Sequence, residues 1–348
     1  MSGSVLRLGT RASALATTQS RWVAAAVQRA TGRDVELVEV TTFGDTSRAH
    51  LSEIGGTGVF AAALRQAVAG GEVDFAVHSL KDLPTAAVEG LVVAAVPTRE
   101  DPRDVLVARD GLTLKALPQG ARIGTGSPRR QAQLLAARPD LDVRPVRGNV
   151  DRRLAMVTDG SLDAVVLAYA GLRRLGRGDV VTDVLDPDVV LPAPGQGALA
   201  VECRSDDHAL VASLALIDDA DSRSAVAAER ALLAALEAGC TAPVGALAAV
   251  SGSSLSLRAV AAATDGSVVL RRGLTGPVDD PSALGRELAD LLLVDGAARL
   301  VDRAEPSSQI TPSLPAQPHP SRPTQPTSSR PTQPTSSRPT QPSPERAS

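Results

Sequence analysis

Two periods of apolar spacing share the first two thirds of the chain. Short apolar runs of strand length occur at Val5–Leu8, Val35–Val40, Phe75–His78, Leu91–Val96, Val105–Ala108, Arg122–Gly124, Val143–Val146 and Ala164–Ala168. Helical spacing lies between them. Ser13 is placed to cap a helix through about Ala30, and Val59–Ala69 forms a shorter one. Ser127 suits an N-cap with Pro128 at the first helical position, and another helix is expected near Leu154. This βα alternation predicts two α/β lobes with mainly parallel strands. In such sheets ligands sit at the C-terminal ends of strands and in the crevice between lobes.

After Cys203 the order changes. Asp207–Leu216 and Arg223–Leu236 read as helices, with Gly239 as a C-terminal stop. Val244–Val250, Leu255–Ala261 and Ser267–Arg272 read as strands joined by hairpin-length connections. Asp280 caps a last helix with Pro281 next, giving an α+β domain that ends near Arg303. From about Glu305 the chain is Pro, Ser, Thr and Gln. The unit SRPTQPTS occurs at Ser321 and Ser329 and begins again at Ser337. This tail lacks apolar residues to offset ordering entropy and is expected to be disordered; a Pro-rich docking segment is the other reading.

Composition narrows the picture. The 348 residues suffice for two or three domains. With one Trp, one Tyr and three Phe, the core must be built from Ala, Val and Leu. No run approaches the roughly 20 apolar residues of a membrane span, and MSGSVLRLGT has no apolar leader. Two cysteines, Cys203 and Cys240, are too few for a disulfide framework or a zinc site, so a cytoplasmic protein without bound metal is expected. Net charge is −3; because the tail from Pro306 carries four Arg against one Glu, the body without it is −6. An acidic body argues against nonspecific nucleic-acid binding but leaves room for a locally basic cleft.

Polar clusters fall just after predicted strands. They are Thr10–Ser13, His78–Asp82, Gly124–Arg130, Arg147–Val150 with Arg153, and Arg173–Arg174. Four of the five bring Arg to the expected crevice, and Arg offers a planar fork to carboxylate or phosphate. One such Arg is ordinarily a surface ion pair; convergence across two lobes points to a polyanionic ligand. Asp82 beside Lys81 reads either as a surface salt bridge, worth about 0–1 kcal/mol, or as a carboxylate able to stabilise a cation or shuttle a proton. His78 suits a satisfied core histidine. On position alone Cys240 suits a small buried hydrophobe, though a strong electrophile could alkylate it; Cys203 suits a structural strand position.

The segments LGTRASALA, GGTGVF, AVHSLKDLP, GTGSPRRQAQL, RPVRGNVDRRL, LAYAGLRRLG, LPAPGQGALAVECR and AGCTAPVGA, in this order, resemble the porphobilinogen deaminase (hydroxymethylbilane synthase) family from about Val5 to Arg303. The resemblance implies two lobes like those of solute-binding proteins, spanning 1–98 with 196–217 and 99–195. It also implies a cofactor-attachment α+β domain at 218–304, before the tail at 305–348. It implies a dipyrromethane cofactor joined by a thioether to Cys240, and porphobilinogen as substrate. Four substrate molecules condense head to tail with loss of ammonia, and water then releases hydroxymethylbilane. A monomer is expected. By motif, Asp82 is the catalytic carboxylate. Ser13, Lys81, Thr125, Ser127, Arg129, Arg130, Arg147 and Gly148 would hold the cofactor. Arg11, Arg147, Arg153, Arg174 and Phe60 would bind substrate.

Two positions depart from the family pattern: Thr57 where Lys is frequent, and Arg152 where Thr is common. The second leaves open which of Arg152 and Arg153 faces the cleft. Thr46–Gly58 is expected to act as a mobile lid. Two other classes compete. A noncatalytic polyanion-binding module explains the arginines but gives Asp82 and the Cys240 domain no role. A Schiff-base enzyme using Lys81 leaves the number of arginines unexplained.

Overall fold

We describe residues 5–40, 59–239 and 242–301 of the computed structural model, and at 59 and 60 the backbone alone. The expected lid with Thr57, the side chain of Phe60, Cys240 and the Pro-rich tail lie outside the described residues.

Strands β1 (Leu6–Thr10), β2 (Val35–Glu39), β3 (Phe75–Ser79) and β4 (Leu91–Ala95) come first in the chain. The next five are β5 (Asp104–Ala108), β6 (Arg122–Thr125), β7 (Asp142–Pro145), β8 (Ala164–Ala168) and β9 (Asp183–Val184). The last four are β10 (Leu199–Arg204), β11 (Val244–Ser251), β12 (Ser254–Ala262) and β13 (Val269–Pro277). They form three sheets, ordered β2-β1-β3-β10-β4, β7-β6-β8-β5-β9 and β11-β12-β13.

The expectation of mainly parallel strands needs correction. β1 pairs parallel with β2 and β3, and β6 with β7 and β8. β10 runs antiparallel to β3 and β4, and β5 antiparallel to β8 and β9. The reason is topological. β5 and β10 each enter a sheet straight from the other lobe rather than through a crossover helix, so each arrives in the reverse direction. The local βα period carries no trace of this.

Both faces of the first two sheets are covered, which is why their strands read as continuous apolar runs. Leu6, Leu8, Phe75, Val77, Leu199 and Val201 pack with Val23 and Val27 of the helix Ala14–Thr31 and with Leu210 and Leu214 of the helix His208–Ala215. Ala76 packs instead with Leu64, Val68 and Val73. In the second sheet Leu106, Ile123 and Val166 meet Leu134 of the helix Pro128–Ala137. Val105, Val165 and Leu167 meet Leu154 and Val157 of the helix Val150–Thr158.

The third sheet is antiparallel and covered by the helices Ala220–Ala235 and Pro281–Val294. Asp280 caps the second of these through the Ala283 amide, as expected. The first begins three residues before the expected Arg223, because Asp219 accepts from the Ser222 amide. It also ends at Ala235, before Gly239. Glu237 adopts the left-handed conformation, with φ 51°, while the Ala238 amide returns to the Leu233 carbonyl and the Glu237 amide to Ala234. Burial of Leu236 and Ala238 holds this turn closed without a glycine. β13 runs past Arg272 to Pro277 because it pairs along the whole of β12; as an edge strand it tolerates a proline at its end.

The chain crosses between the first two sheets twice, over 96–103 and 185–198, and the crossings are bonded to each other. The Glu100 amide donates to Gly197 O at 3.2 Å and Gln196 Nε2 to Pro102 O at 2.7 Å. Gly197 is required here: its φ is +88°, and a Cβ would stand 2.3 Å from Glu100 O. Glu229, fully buried on the helix Ala220–Ala235, joins both crossings to the third sheet. It accepts from Arg99 at 2.7 and 3.0 Å, from the Gly195 amide at 2.6 Å and from the Ala248 amide of β11 at 2.8 Å.

Glu229→Gln should therefore leave the Arg99 guanidinium short of its counter-charge in a dry junction. The expected loss is about 3 kcal/mol or more of unfolding free energy, read by urea denaturation. A change below about 0.5 kcal/mol, the scale of an ordinary surface substitution, would show that the junction does not depend on this carboxylate.

Candidate functional site

The segment HSLKDLP leaves β3 in a single 3-10 turn, Leu80–Asp82. Leu80 and Leu83 stand three residues apart, on one side of so tight a turn, and both are buried. That anchoring turns Asp82 outward to solvent and leaves Lys81 partly exposed. Burial pushes the Lys81 amine below its ordinary range; Asp82 and Asp104 oppose the shift, while Arg130 and Arg129 add to it. These four side chains thus share one electrostatic neighbourhood across two lobes. A cleft of about 280 Å³ runs from Lys81 and Asp82 to Leu233, Glu237 and Gly239 at the end of the helix Ala220–Ala235.

His78 lies beneath the turn and is the buried histidine the sequence suggested. Its Nε2 stands 3.1 Å from Glu202 of β10, and Arg65 holds that same carboxylate with bonds of 2.9–3.1 Å. Burial would raise the Glu202 carboxyl, but His78 and Arg65 outweigh it and bring it down to about 2. At the neighbouring strand end, Ser13 caps the helix Ala14–Thr31 through the Ala16 amide, and Thr17 Oγ1 donates to Arg11 O. Gln19 of that helix reaches Ser79 Oγ at 3.3 Å, tying the Arg11–Ser13 corner to the Asp82 turn.

In the second lobe β6 ends in GTGS. Thr125 Oγ1 accepts from the Ser127 amide and Ser127 Oγ from the Arg130 amide. Both hydroxyls therefore shape the loop that launches the helix Pro128–Ala137. Arg129 and Arg130 are not on the surface: they are 3% and 5% exposed. Their partner is Asp104 at the start of β5, fully buried, at 2.8 and 2.7 Å. Gln196 Nε2 adds a bond to the same carboxylate at 2.8 Å. Arg129 also donates to Leu191 O at 2.5 Å and Arg130 to Val166 O at 3.0 Å. Burial favours protonation of Asp104 more than any other influence on it, yet the two guanidiniums together hold it far below the usual carboxylate range. Sequence reasoning missed Asp104. Its only trace was an acidic residue directly ahead of an apolar strand.

The remaining arginines divide. Arg153 turns inward and is half-buried, its pKa lowered by burial and by Arg130. Its buried Nε has no hydrogen-bond partner, and no carboxylate pairs with it among the described residues. Arg152 is exposed, packed on Gly148, where a Cβ would meet its Cδ at 2.7 Å. Arg174 is half-buried, donates to Gly197 O at 2.7 Å, and is lowered by burial to about 10, with Glu100 opposing. Its neighbour Arg173 faces outward to Glu100 at 3.1 Å. Arg147 and Gly148 are exposed at the head of the helix Val150–Thr158. Lys81, Asp82, Asp104, Arg129, Arg130 and Arg153 form one cation-rich group, with Arg174 at the crossing beside it. Among the described residues no group of three or more His, Cys, Asp or Glu could hold a metal, and no helix is long and apolar enough to cross a membrane.

Residues 6–212 match the family model described as "Porphobilinogen deaminase, dipyromethane cofactor binding domain", and residues 224–294 match "Porphobilinogen deaminase, C-terminal domain". The chain is 60% identical to a protein named porphobilinogen deaminase 1 from Streptomyces coelicolor, over 88% of this chain and all of that one. It is 57% identical to a porphobilinogen deaminase from Thermobifida fusca, over 86% and 97%. Among solved structures it is similar to the methionine-binding protein MetQ, with a TM-score of 0.38 and 13% identity over 61% of this chain and 88% of that one.

The low Glu202 pKa gives a pH signature. The folded value lies below the ordinary 4.5, so its stabilisation is complete above that pH and disappears as the pH falls through about 2. Glu202→Gln should lower stability at neutral pH and flatten the acid limb of a melting-temperature profile below pH 4.5. An acid limb as steep as in the parent protein would assign that loss to other groups.

Proposed function

We propose how the residues of this chain, which belongs to the porphobilinogen deaminase family, divide the work of its reaction. The chain carries the transferase activity of that family: it condenses porphobilinogen, with loss of ammonia, to hydroxymethylbilane in tetrapyrrole biosynthesis. Its cofactor is dipyrromethane. When bound, that group supplies a free pyrrole carbon as the nucleophile for each incoming ring.

The residues present suit such a group. Arg129 and Arg153 each bury an Nε without a hydrogen-bond partner, and around Asp104 the guanidiniums of Arg129, Arg130 and Arg153 outnumber that one carboxylate. Gly239, which precedes Cys240, lines the same cleft as Asp82. We assign the thioether to Cys240, within the domain at 218–304. Arg129, Arg130, Arg147 and Gly148, with Ser13, Lys81, Thr125 and Ser127, hold the cofactor. Arg11, Arg147, Arg153, Arg174 and Phe60 receive substrate carboxylates or pack against the ring. Thr125 and Ser127 act through the backbone they fold, and Arg130 through a charge that Asp104 only partly neutralises.

Asp82 is the catalytic carboxylate. In each cycle the aminomethyl C–N bond of porphobilinogen breaks and ammonia leaves, so positive charge develops on the substrate pyrrole. A C–C bond then forms and one proton leaves the bonded α-carbon of the attacking ring. The cleft cations favour the substrate's carboxylates and oppose a ring cation. A carboxylate fixed at the reacting ring resolves that conflict and can take up the proton. The observation that carries this assignment is the position of Asp82: exposed, beside Lys81, in a cleft that ends at Gly239. We assign the enzyme to the cytoplasm as a monomer that binds no nucleic acid; the acidic body agrees with the last point.

Asp82→Asn protein that already carries the cofactor should bind substrate, while its single-turnover rate falls on the order of 10²-fold. Asp82→Glu should retain more activity than Asn. The parent rate in Asp82→Asn would return Asp82 to a structural role. For the attachment, intact mass should exceed the sequence mass by a two-pyrrole adduct that maps to Cys240 and is lost in Cys240→Ala but kept in Cys203→Ala. Unmodified Cys240 in active protein would remove that assignment.

A further inference from the structure

Arg230 belongs to the helix Ala220–Ala235, yet its guanidinium reaches the Asp82 turn. One nitrogen donates to Leu83 O at 2.8 Å and stands 3.5 Å from Leu80 O; the other donates to Pro84 O at 2.7 Å. These carbonyls lie on both sides of Asp82. The turn is only one bond long, closed by the Leu83 amide on Leu80 O at 3.1 Å. Past it the chain leaves regular structure until β4, so no ladder fixes Leu83 or Pro84. No carboxylate pairs with Arg230 among the described residues. Its donors are committed to carbonyl oxygens, and a planar fork can serve two neighbouring oxygens at once where an ammonium cannot. Burial lowers its pKa, with Arg65 adding and Glu202 opposing, which fits a cation set into the base of the site.

The same helix ends at the cleft wall formed by Leu233, Glu237 and Gly239. One side chain therefore links the turn that carries Asp82 to the element that leads to Cys240. The first element must meet each reacting ring, and the second tethers the group to which rings are added.

We propose that Arg230 is a positioning residue for the condensation, holding the Asp82 carboxylate in register with the cofactor's point of attachment. This rests on the assignment of Asp82 as the catalytic carboxylate. Displacement of a catalytic group by about 1 Å can cost 10²-fold in rate, so the clamp should govern the chemical step more than affinity.

The test is a double-mutant cycle between Arg230→Met and Asp82→Asn in cofactor-loaded protein, with single-turnover rate and KM as readouts. Arg230→Met should slow the chemical step by about 10- to 100-fold and leave KM within a few-fold. Arg230→Lys should fall between, since one ammonium satisfies one carbonyl at a time. In the Asp82→Asn background, Arg230→Met should cost less than about 2-fold further, because there is no longer a carboxylate to misplace. The same factor in both backgrounds, or the parent rate in Arg230→Met, overturns the clamp and leaves the Asp82 assignment standing. The parent rate in Asp82→Asn alone overturns both. If Arg230→Met does not accumulate as folded protein, Arg230→Lys in the same cycle decides the matter.

Discussion

A single buried carboxylate faces two buried guanidiniums. Asp104 opens β5, the first strand after the chain crosses between lobes, and it receives Arg129, Arg130 and the Gln196 amide of the return crossing. Two close attractions, each of about 4 kcal/mol gross at an effective dielectric near 20, outweigh the desolvation of one carboxylate. They do not neutralise the site. Two cations against one anion leave a positive remainder in a region of low dielectric, and Arg153 adds a third charge beside Arg130 with no carboxylate of its own among the described residues. The protein is built with a deficit of negative charge around Asp104, where the proposed function places its ligands. On the proposed assignment, carboxylates of the cofactor and substrate supply it.

The position of Asp104 also unites architecture and chemistry. The carboxylate that orients Arg129 and Arg130 is bonded, through Gln196, to the crossing whose Gly197 carbonyl receives Arg174. Glu229 plays the corresponding part toward the third sheet, joining Arg99 and Gly195 of the two crossings to Ala248. The arginines are therefore set by the junctions between lobes, and any movement of the lobes would be felt at those charges. Asp82 differs: it sits on a short turn of the first lobe, held by Leu80 and Leu83 below and by a guanidinium from the third domain beside it.

Much of this was legible along the chain because it is local. Ser13, Ser127 with Pro128, and Asp280 with Pro281 mark helix starts through hydrogen bonds spanning three residues, and all three were read correctly. The strands Phe75–Ser79 and Ala164–Ala168 stood out because both faces are buried. The clusters around Asp82, Arg129 and Arg153 were visible because each follows a strand. What escaped depends on contacts distant in sequence. The antiparallel entry of β5 and β10 follows from the crossings, the end of the helix Ala220–Ala235 from the burial of Leu236 and Ala238, and Asp104 from partners on other strands and loops. The sequence also brought Arg129 and Arg130 to a ligand crevice without showing that both lie beneath the surface against a carboxylate of the protein itself.

The central claim is that Arg129, Arg130 and Arg153 form a surplus of buried positive charge around Asp104 that cofactor carboxylates satisfy. The most direct test compares the melting temperatures of protein without and with the dipyrromethane group, in the parent chain and in Arg153→Met, at low and high salt. The account predicts a large rise on loading the parent chain, a rise reduced in Arg153→Met, and little dependence on salt because the charges are buried. Equal melting temperatures for loaded and unloaded parent protein would contradict it.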